Sequence, residues 1–349
     1  MKKVLVTIGL IIFATALLVL NILNSGGFFR TVDPGFNGSI SRTLSVYGAE
    51  DLAVSREDSF LIISSDDRAA RFHDRKHKGH LLKLNLRNPE AKPERLTDQL
   101  TIPFFPHGIT MWKMDSAVYK IWAINHPLDE HTIEVFTLFG DSLVHQETIA
   151  DPNLVRPNDL VAVDENSFYF TNDHQFAAGW KRIAEDYLGL ALSDVRFYDG
   201  EKFTKVADDI AYANGINYDQ SRNLLFVASP RDFLVKVFQT DQSSGELTFI
   251  EDIDAGTGVD NIEFDESGKL WIGCHPNLFA FTRYAAGKSD NSPSEIITID
   301  YQSKGDYLVE SIFVDEGEII PASTIAVPFD GKVYIGSVMD DELVVWERN

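Results

Sequence analysis

One pattern recurs along nearly the whole chain. A strand that opens on a polar residue is followed, a few residues later, by a strongly apolar strand. The polar openings are AEDLAVS (49–55), PHGITMW (106–112), PNDLVAV (157–163), ANGINYD (213–219), VDNIEFD (259–265) and ASTIAVP (322–328). Their apolar partners are SFLIISS (59–65), YKIWAIN (119–125), SFYFTND (167–173), NLLFVAS (223–229), KLWIGC (269–274) and KVYIGS (332–337). These are rich in the branched and aromatic residues that suit strands. The key polar residues fall at 50, 107, 158, 214, 260 and 324, so the unit returns every 46 to 64 residues. Six quasi-repeats of that length, each with several short strands, predict an all-β, six-bladed β-propeller. Two separate sandwiches would not need the same opening six times.

In a propeller the innermost strand of each blade lines a central channel. If the polar-opening strands are innermost, their starts converge at one mouth of that channel. Glu50, His107, Asn158, Asn214, Asp260 and Asn261 then surround one point. The set is rich in hard oxygen donors and poor in sulfur. It favours Ca²⁺, which takes about 6–8 oxygens, neutral amides included. Zinc would want more His or Cys, and the chain has a single cysteine. Asn and Asp also favour turns for local reasons. That explanation is the stronger at any one position and the weaker at six equivalent points of a repeat. The formal net charge is −22, with 53 Asp+Glu against 31 Lys+Arg. This excludes a nucleic-acid binder, which needs a basic surface, and suits a cation site.

The first residues read differently. Lys2 and Lys3 precede an uncharged apolar run from Val4 to Leu20 that extends to Leu23. That length is nearer the roughly 20 residues of a spanning helix than a secretory h-region, and no A-x-A pattern follows. Residues 1–24 are read as an uncleaved signal-anchor with cytoplasmic lysines, placing the rest outside as an exported, membrane-anchored domain. Secretion after cleavage is the competing reading. Residues 25–38, rich in Gly, Pro and Asn, read as a tether, and 39–349 as the propeller. One helix is expected inside it, over 177–190, where Trp180, Ile183, Tyr187 and Leu190 recur at helical spacing. Its apolar face is expected to pack on the propeller, with a membrane surface as the other option.

The motifs GAEDLAV, PHGIT, INHP, PNDLVAV, TNDH, YLGLA, ANGIN, VDNI and WIGCHPN occur in this order. Together they resemble the paraoxonase/arylesterase family of six-bladed propeller lactonases, from about residue 45 to the end. The resemblance implies two calcium ions in the channel. A catalytic ion would be held by Glu50, Asn158, Asn214, Asp260 and Asn261. A deeper, structural ion would be held by Asp51, Asp159 and the carbonyl of Ile109. Neighbours on a strand alternate direction, which would let each tandem pair serve two depths. The implied histidine pair is His107 and His126, with His174 matching a further histidine. The implied activity is hydrolysis of lactones and aryl esters, with organophosphate turnover as a side reaction. A calcium ion would polarise the carbonyl, and His107, or else Asp260, would activate water. His126 would orient the base or relay its proton.

This chain departs from the family in places. It lacks the cysteines that close the propeller there, so closure must rest on strand pairing of residues 39–47 with the last blade. Cys274 reads as a buried, inert thiol. The loop DDRAARFHDRKHKGH (66–80) is unusually basic, as a solvated loop or as an acyl or phosphate contact. Pocket candidates are Tyr212, His275, Phe279, Thr324, Val338, Met339 and His174. The alternatives are a sugar lactonase resembling the gluconolactonase/regucalcin branch, and a propeller that binds a ligand without catalysis.

Overall fold

The computed structural model describes residues 2–73, 77–127 and 130–348. Six antiparallel sheets form the blades of a propeller. Their first strands are Ala49–Ser55, Pro106–Asp115, Pro157–Ala162, Ile216–Asp219, Gly258–Phe264 and Ser323–Phe329. Each touches the first strand of the next blade, and the sixth touches the first, so together they line a closed channel. The apolar second strands are buried on both faces, as a strand held between two neighbours must be. Six apolar clusters fill the six interfaces between adjacent blades. Phe60, Ile62 and Tyr119 join the first two blades, for example, and Trp271, Phe313 and Trp346 join the last two.

The ring closes through its ends. Strand Ser39–Ser45 pairs antiparallel with Glu342–Glu347, setting Ile40 opposite Trp346 and Leu44 opposite Leu343. Trp346 is fully buried, and its indole N–H donates to the Asn37 carbonyl. Strand pairing thus does the work of the missing cross-link. The segment read as a tether lies along the fifth blade. The Gly26 carbonyl accepts from Leu278 N at 3.0 Å, Arg30 makes two bonds to Glu295 at 2.6 and 2.9 Å, and Gly35–Phe36 adds a fifth strand to that sheet. Before it, helix Lys2–Ser25 buries no residue and is long and apolar enough to cross a membrane. Its 24 residues reach about 36 Å at the α-helical rise.

Within each blade the second strand returns to the level at which the first began. Ser65 pairs with Ala49, Asn125 with Pro106, Asn172 with Pro157, His275 with Gly258 and Ser337 with Ser323. The loops that leave these second strands therefore surround the channel mouth. One of them carries helix Trp180–Leu188, ended by Gly189 in the left-handed conformation at φ 61°. Its orientation reverses the packing expected from sequence. Trp180, Ile183 and Tyr187 are 75%, 57% and 54% exposed, and the buried residue is Glu185. The reason is polar. The Glu185 carboxylate accepts from the backbone N–H groups of Gln175 and Phe176, and Asp186 bonds to His174. These contacts turn the polar face inward. Asp74, Arg75 and Lys76 of the basic loop lie outside the described residues.

Candidate active site

Five of the six first strands carry a register shift at their polar start. The shifts fall at Ala49/Asp51, Pro106/Ile109, Pro157/Leu160, Val259/Ile262 and Ser323/Ile325. A bulge inserts a residue and re-aims side chains. Ladder pairing is interrupted at Glu50, Asn158–Asp159, Asp260–Asn261 and Thr324. Two glycines allow the starts to crowd together. A Cβ on Gly108 would lie 2.6 Å from the Asn158 carbonyl, and one on Gly215 would lie 2.3 Å from that of Asp260. Tyr212 holds a left-handed backbone at φ 66°, costly for a bulky residue, two positions before Asn214.

The structure brings the expected oxygen set together. Glu50, Asp51, Asn158, Asp159, Asn214, Asp260 and Asn261 are all buried. Asn261 Nδ2 donates to the Glu50 carbonyl and to Glu50 Oε1, both at 3.0 Å. Thr324 Oγ1 donates to the Glu50 carbonyl at 2.7 Å, which makes it a brace for the site. Asp51 and Asp159 tie neighbouring blades, accepting from Ile109 N at 2.6 Å and Ile216 N at 2.8 Å.

Among the described residues seven buried side-chain oxygens have no hydrogen-bond partner. Four of them, Glu50 Oε2, Asn158 Oδ1, Asn214 Oδ1 and Asn261 Oδ1, belong to the set expected around one cation; the others are on Ser64, Asp66 and Ser292. Orphaned buried acceptors are costly, and their clustering calls for a group that satisfies them. The carboxyl groups agree. Burial raises Glu50, Asp51, Asp159 and Asp260, and for Asp51 and Asp159 the charge of a neighbouring carboxylate adds to it. Among the described residues no three His, Cys, Asp or Glu side chains group to hold a metal. The donors here are carboxylates mixed with neutral amides, a chemistry that suits calcium and not zinc.

The histidines sort into different roles. His275 Nε2 bonds to Asp260 Oδ2 at 2.8 Å, its ring stacks on Phe281 at 3.8 Å, and its Nδ1 is buried without a partner. His107 Nε2 lies 3.5 Å from Glu50 Oε1, while Arg68 Nη2 approaches its Nδ1 at 3.4 Å. Burial, followed by the Arg68 charge, pushes His107 down to about 3. It is therefore neutral. His126 stands edge-on to His107 at 5.0 Å and bonds through Nδ1 to His131 Nδ1 at 2.7 Å. Burial holds it well below its usual value too.

His174 is a clamp. Its Nδ1 bonds to Asp173 at 2.6 Å and its Nε2 to Asp186 at 2.7 Å. Burial alone would lower it, but the two carboxylates outweigh burial and raise it to about 9. The Tyr212 ring meets His174 edge-on at 4.9 Å. Phe279 packs against Phe28 of the N-terminal segment at 5.8 Å. Val338 offers its carbonyl to Arg68 at 3.3 Å, and Met339 follows it, half-buried, in the same mouth loop.

Arg68, His131, Asp173, Asp186 and Arg231 were not singled out from sequence. Arg68 comes from the basic loop, on the short helix Arg68–His73. It is buried and donates to the carbonyls of Gly48, Val338 and Pro106 as well as to His107. Its signal was the excess of cations in that loop. His131 and Asp173 lie close to the INHP and TNDH motifs, whereas Arg231 carries no local signal.

Comparison with known proteins bears on the family and the fold. The arylesterase family model matches residues 72–345. Serum paraoxonase/arylesterase 1 of Mus musculus is 32% identical over 306 residues, covering 85% of each chain. Among solved structures, a gluconolactonase from Xanthomonas campestris superposes with a TM-score of 0.54 at 14% identity, over 91% of this chain and 98% of that one. Regucalcin from Agrobacterium tumefaciens, described as a calcium-binding protein, superposes at 0.53 and 12% identity, over 90% and 96%. At such identities the two structures bear on the fold alone.

Proposed function

The chain belongs to the arylesterase family, and from that premise we propose that it hydrolyses lactones and aryl esters with calcium bound at the channel mouth. The observation that carries the reading is the cluster of four unpartnered buried oxygens on Glu50, Asn158, Asn214 and Asn261. With Asp260 they would hold the catalytic ion; Asp51, Asp159 and the Ile109 carbonyl would hold a second, deeper one. Bound calcium supplies Lewis acidity, polarising the substrate carbonyl and favouring the negative charge that develops on its oxygen.

The protein's own groups do the rest. Thr324 and Asn261 fix Glu50 by its carbonyl, and Asn261 also bonds its carboxylate. Asp260 orients His275 through Nε2, which leaves the Nδ1 lone pair without a donor. An imidazole held by a carboxylate on one nitrogen and open on the other is the arrangement of a general base. His275 with Asp260 is therefore the preferred proton acceptor from water, and His107 the secondary one. His107 faces the Arg68 cation, which opposes its protonation.

Helix Lys2–Ser25 anchors the domain to a membrane in this reading, since an exposed apolar helix of this length is not stable in water. The outward face of Trp180, Ile183 and Tyr187 beside the mouth suits entry of apolar substrates from the same membrane. The test is turnover by the full-length protein in detergent with calcium. The panel holds aliphatic lactones of increasing chain length, phenyl acetate and gluconolactone. Turnover of aliphatic lactones and phenyl acetate is expected. Turnover of gluconolactone alone would move the protein to the sugar-lactone class. No turnover by the folded, calcium-loaded protein would overturn the enzymatic reading.

A further inference from the structure

Arg231 lies in the mouth loop that follows Ser229 of the fourth blade. Its Nε donates to the Asp186 carbonyl at 2.9 Å and its Nη2 to the Tyr187 carbonyl at 3.4 Å. Both carbonyls belong to the last turn of helix Trp180–Leu188, where acceptors lack intrahelical donors and the helix dipole favours a cation. The third arm, Nη1, donates to Ser25 Oγ at 2.8 Å. Ser25 is the final residue of the N-terminal helix. One guanidinium thus holds the ends of two helices that come from opposite sides of the sequence.

The contact continues inward. The Asp186 carboxylate bonds to His174, His174 bonds to Asp173, and the Tyr212 ring rests edge-on against His174. Apolar packing on both helices is shallow: the N-terminal helix buries no residue, with Ile22 and Leu23 partly covered, and the mouth helix buries only Glu185. The polar bonds of Arg231 therefore weigh heavily in their relative position, and a planar, forked cation makes them where an ammonium does not reproduce them. The N-terminal side has its own seat. Gly27, at φ +72°, sits so close that a Cβ would lie 2.3 Å from the Pro276 carbonyl.

We infer that Arg231 couples the N-terminal helix to the helix over the channel mouth, so that the seating of the anchor positions the wall that carries His174 and Tyr212. Arg231 is a positioning residue, acting through Asp186. The consequence for substrate rests on the hydrolase reading above, whereas the coupling itself does not. It is tested on the full-length protein in detergent by hydrogen exchange, with a change on one side read on the other. Gly27→Ala unseats the N-terminal segment, and Arg231→Leu cuts the link. Both are expected to speed exchange of amides 181–188 about tenfold, while the strands around Phe226 and Ile272 stay protected. Ser25→Ala, a milder change, is expected to act in the same direction. Unchanged exchange over 181–188 in Gly27→Ala or Ser25→Ala, with the segment after Ser25 visibly loosened, would overturn the inference. If Gly27→Ala loosens the whole propeller, Ser25→Ala decides alone. In an active wild type, Arg231→Leu is expected to raise KM for a long-chain lactone and leave kcat for phenyl acetate unchanged. A wild type without turnover would remove the hydrolase reading and leave the exchange result standing.

Discussion

His275 Nε2 lies 2.8 Å from Asp260 Oδ2, and the opposite nitrogen of the same ring is buried with no partner. His107, by contrast, sits between the Glu50 carboxylate and the Arg68 guanidinium. The difference separates the two imidazoles kinetically. His275→Gln is expected to lower kcat by about 10²–10⁴-fold, the usual contribution of a general base. His107→Gln is expected to lose less. The comparison is made on kcat for one lactone at saturating calcium, with circular dichroism to confirm folding. A larger loss in His107→Gln would reassign the base.

The His174 clamp makes the mouth helix pH-sensitive. His174 is raised to about 9 in the folded protein by Asp173 and Asp186, above the ordinary imidazole value near 6.5. The stabilisation is therefore complete below about pH 6.5 and disappears as pH rises through 9. Exchange of amides 181–188 should accelerate over that window beyond its intrinsic pH dependence, and the extra acceleration should be absent in His174→Gln. A wild type without it would contradict the clamp.

Closure of the ring rests on Trp346, fully buried opposite Ile40 and bonded to the Asn37 carbonyl. Trp346→Ala removes a large core side chain, at a cost of about 3–5 kcal/mol. Urea unfolding should show a lower midpoint with little change in slope. A midpoint within error of the wild type would mean that the terminal strand pair does not hold the blades together.

The outward apolar face of the mouth helix predicts a separable role. Trp180→Ser with Ile183→Ser should weaken binding to phospholipid vesicles and leave phenyl acetate turnover intact, because both side chains are exposed and neither touches the oxygen set. Binding is read by flotation of a variant in which Leu10 and Ile11 are also replaced by charged residues, to silence the anchor. Equal flotation with and without the serines would remove this face from membrane contact.

The blade count was legible because a propeller repeats one strand pattern, and each repeat must bury the same apolar second strand. The oxygen set was legible for the same reason. Glu50, Asn158, Asn214 and Asp260 occupy equivalent starts, and position in the repeat fixed their convergence. What sequence missed depends on contacts between blades. Arg68 reaches His107 across a blade boundary, and Arg231 reaches Ser25 across 206 residues. No local pattern encodes either contact. The helix 177–190 was found by its period, but its facing was misread. Periodicity locates an apolar stripe without saying what lies opposite it, and Glu185 and Asp186 outbid Trp180 and Tyr187 for the inner side. The bulges at the starts of the first strands are likewise features that pattern reading does not detect.

The most direct measurement is lactone turnover by the full-length protein through a chelation cycle, run beside Asp260→Asn. Activity is expected to vanish on chelation and return with calcium, and to be lost in Asp260→Asn at any calcium concentration. The thermal midpoint of the wild type should fall on chelation and recover with calcium, because the ion binds the folded channel and not the unfolded chain. Turnover that persists in the fully chelated protein, with an unchanged midpoint, would contradict the account.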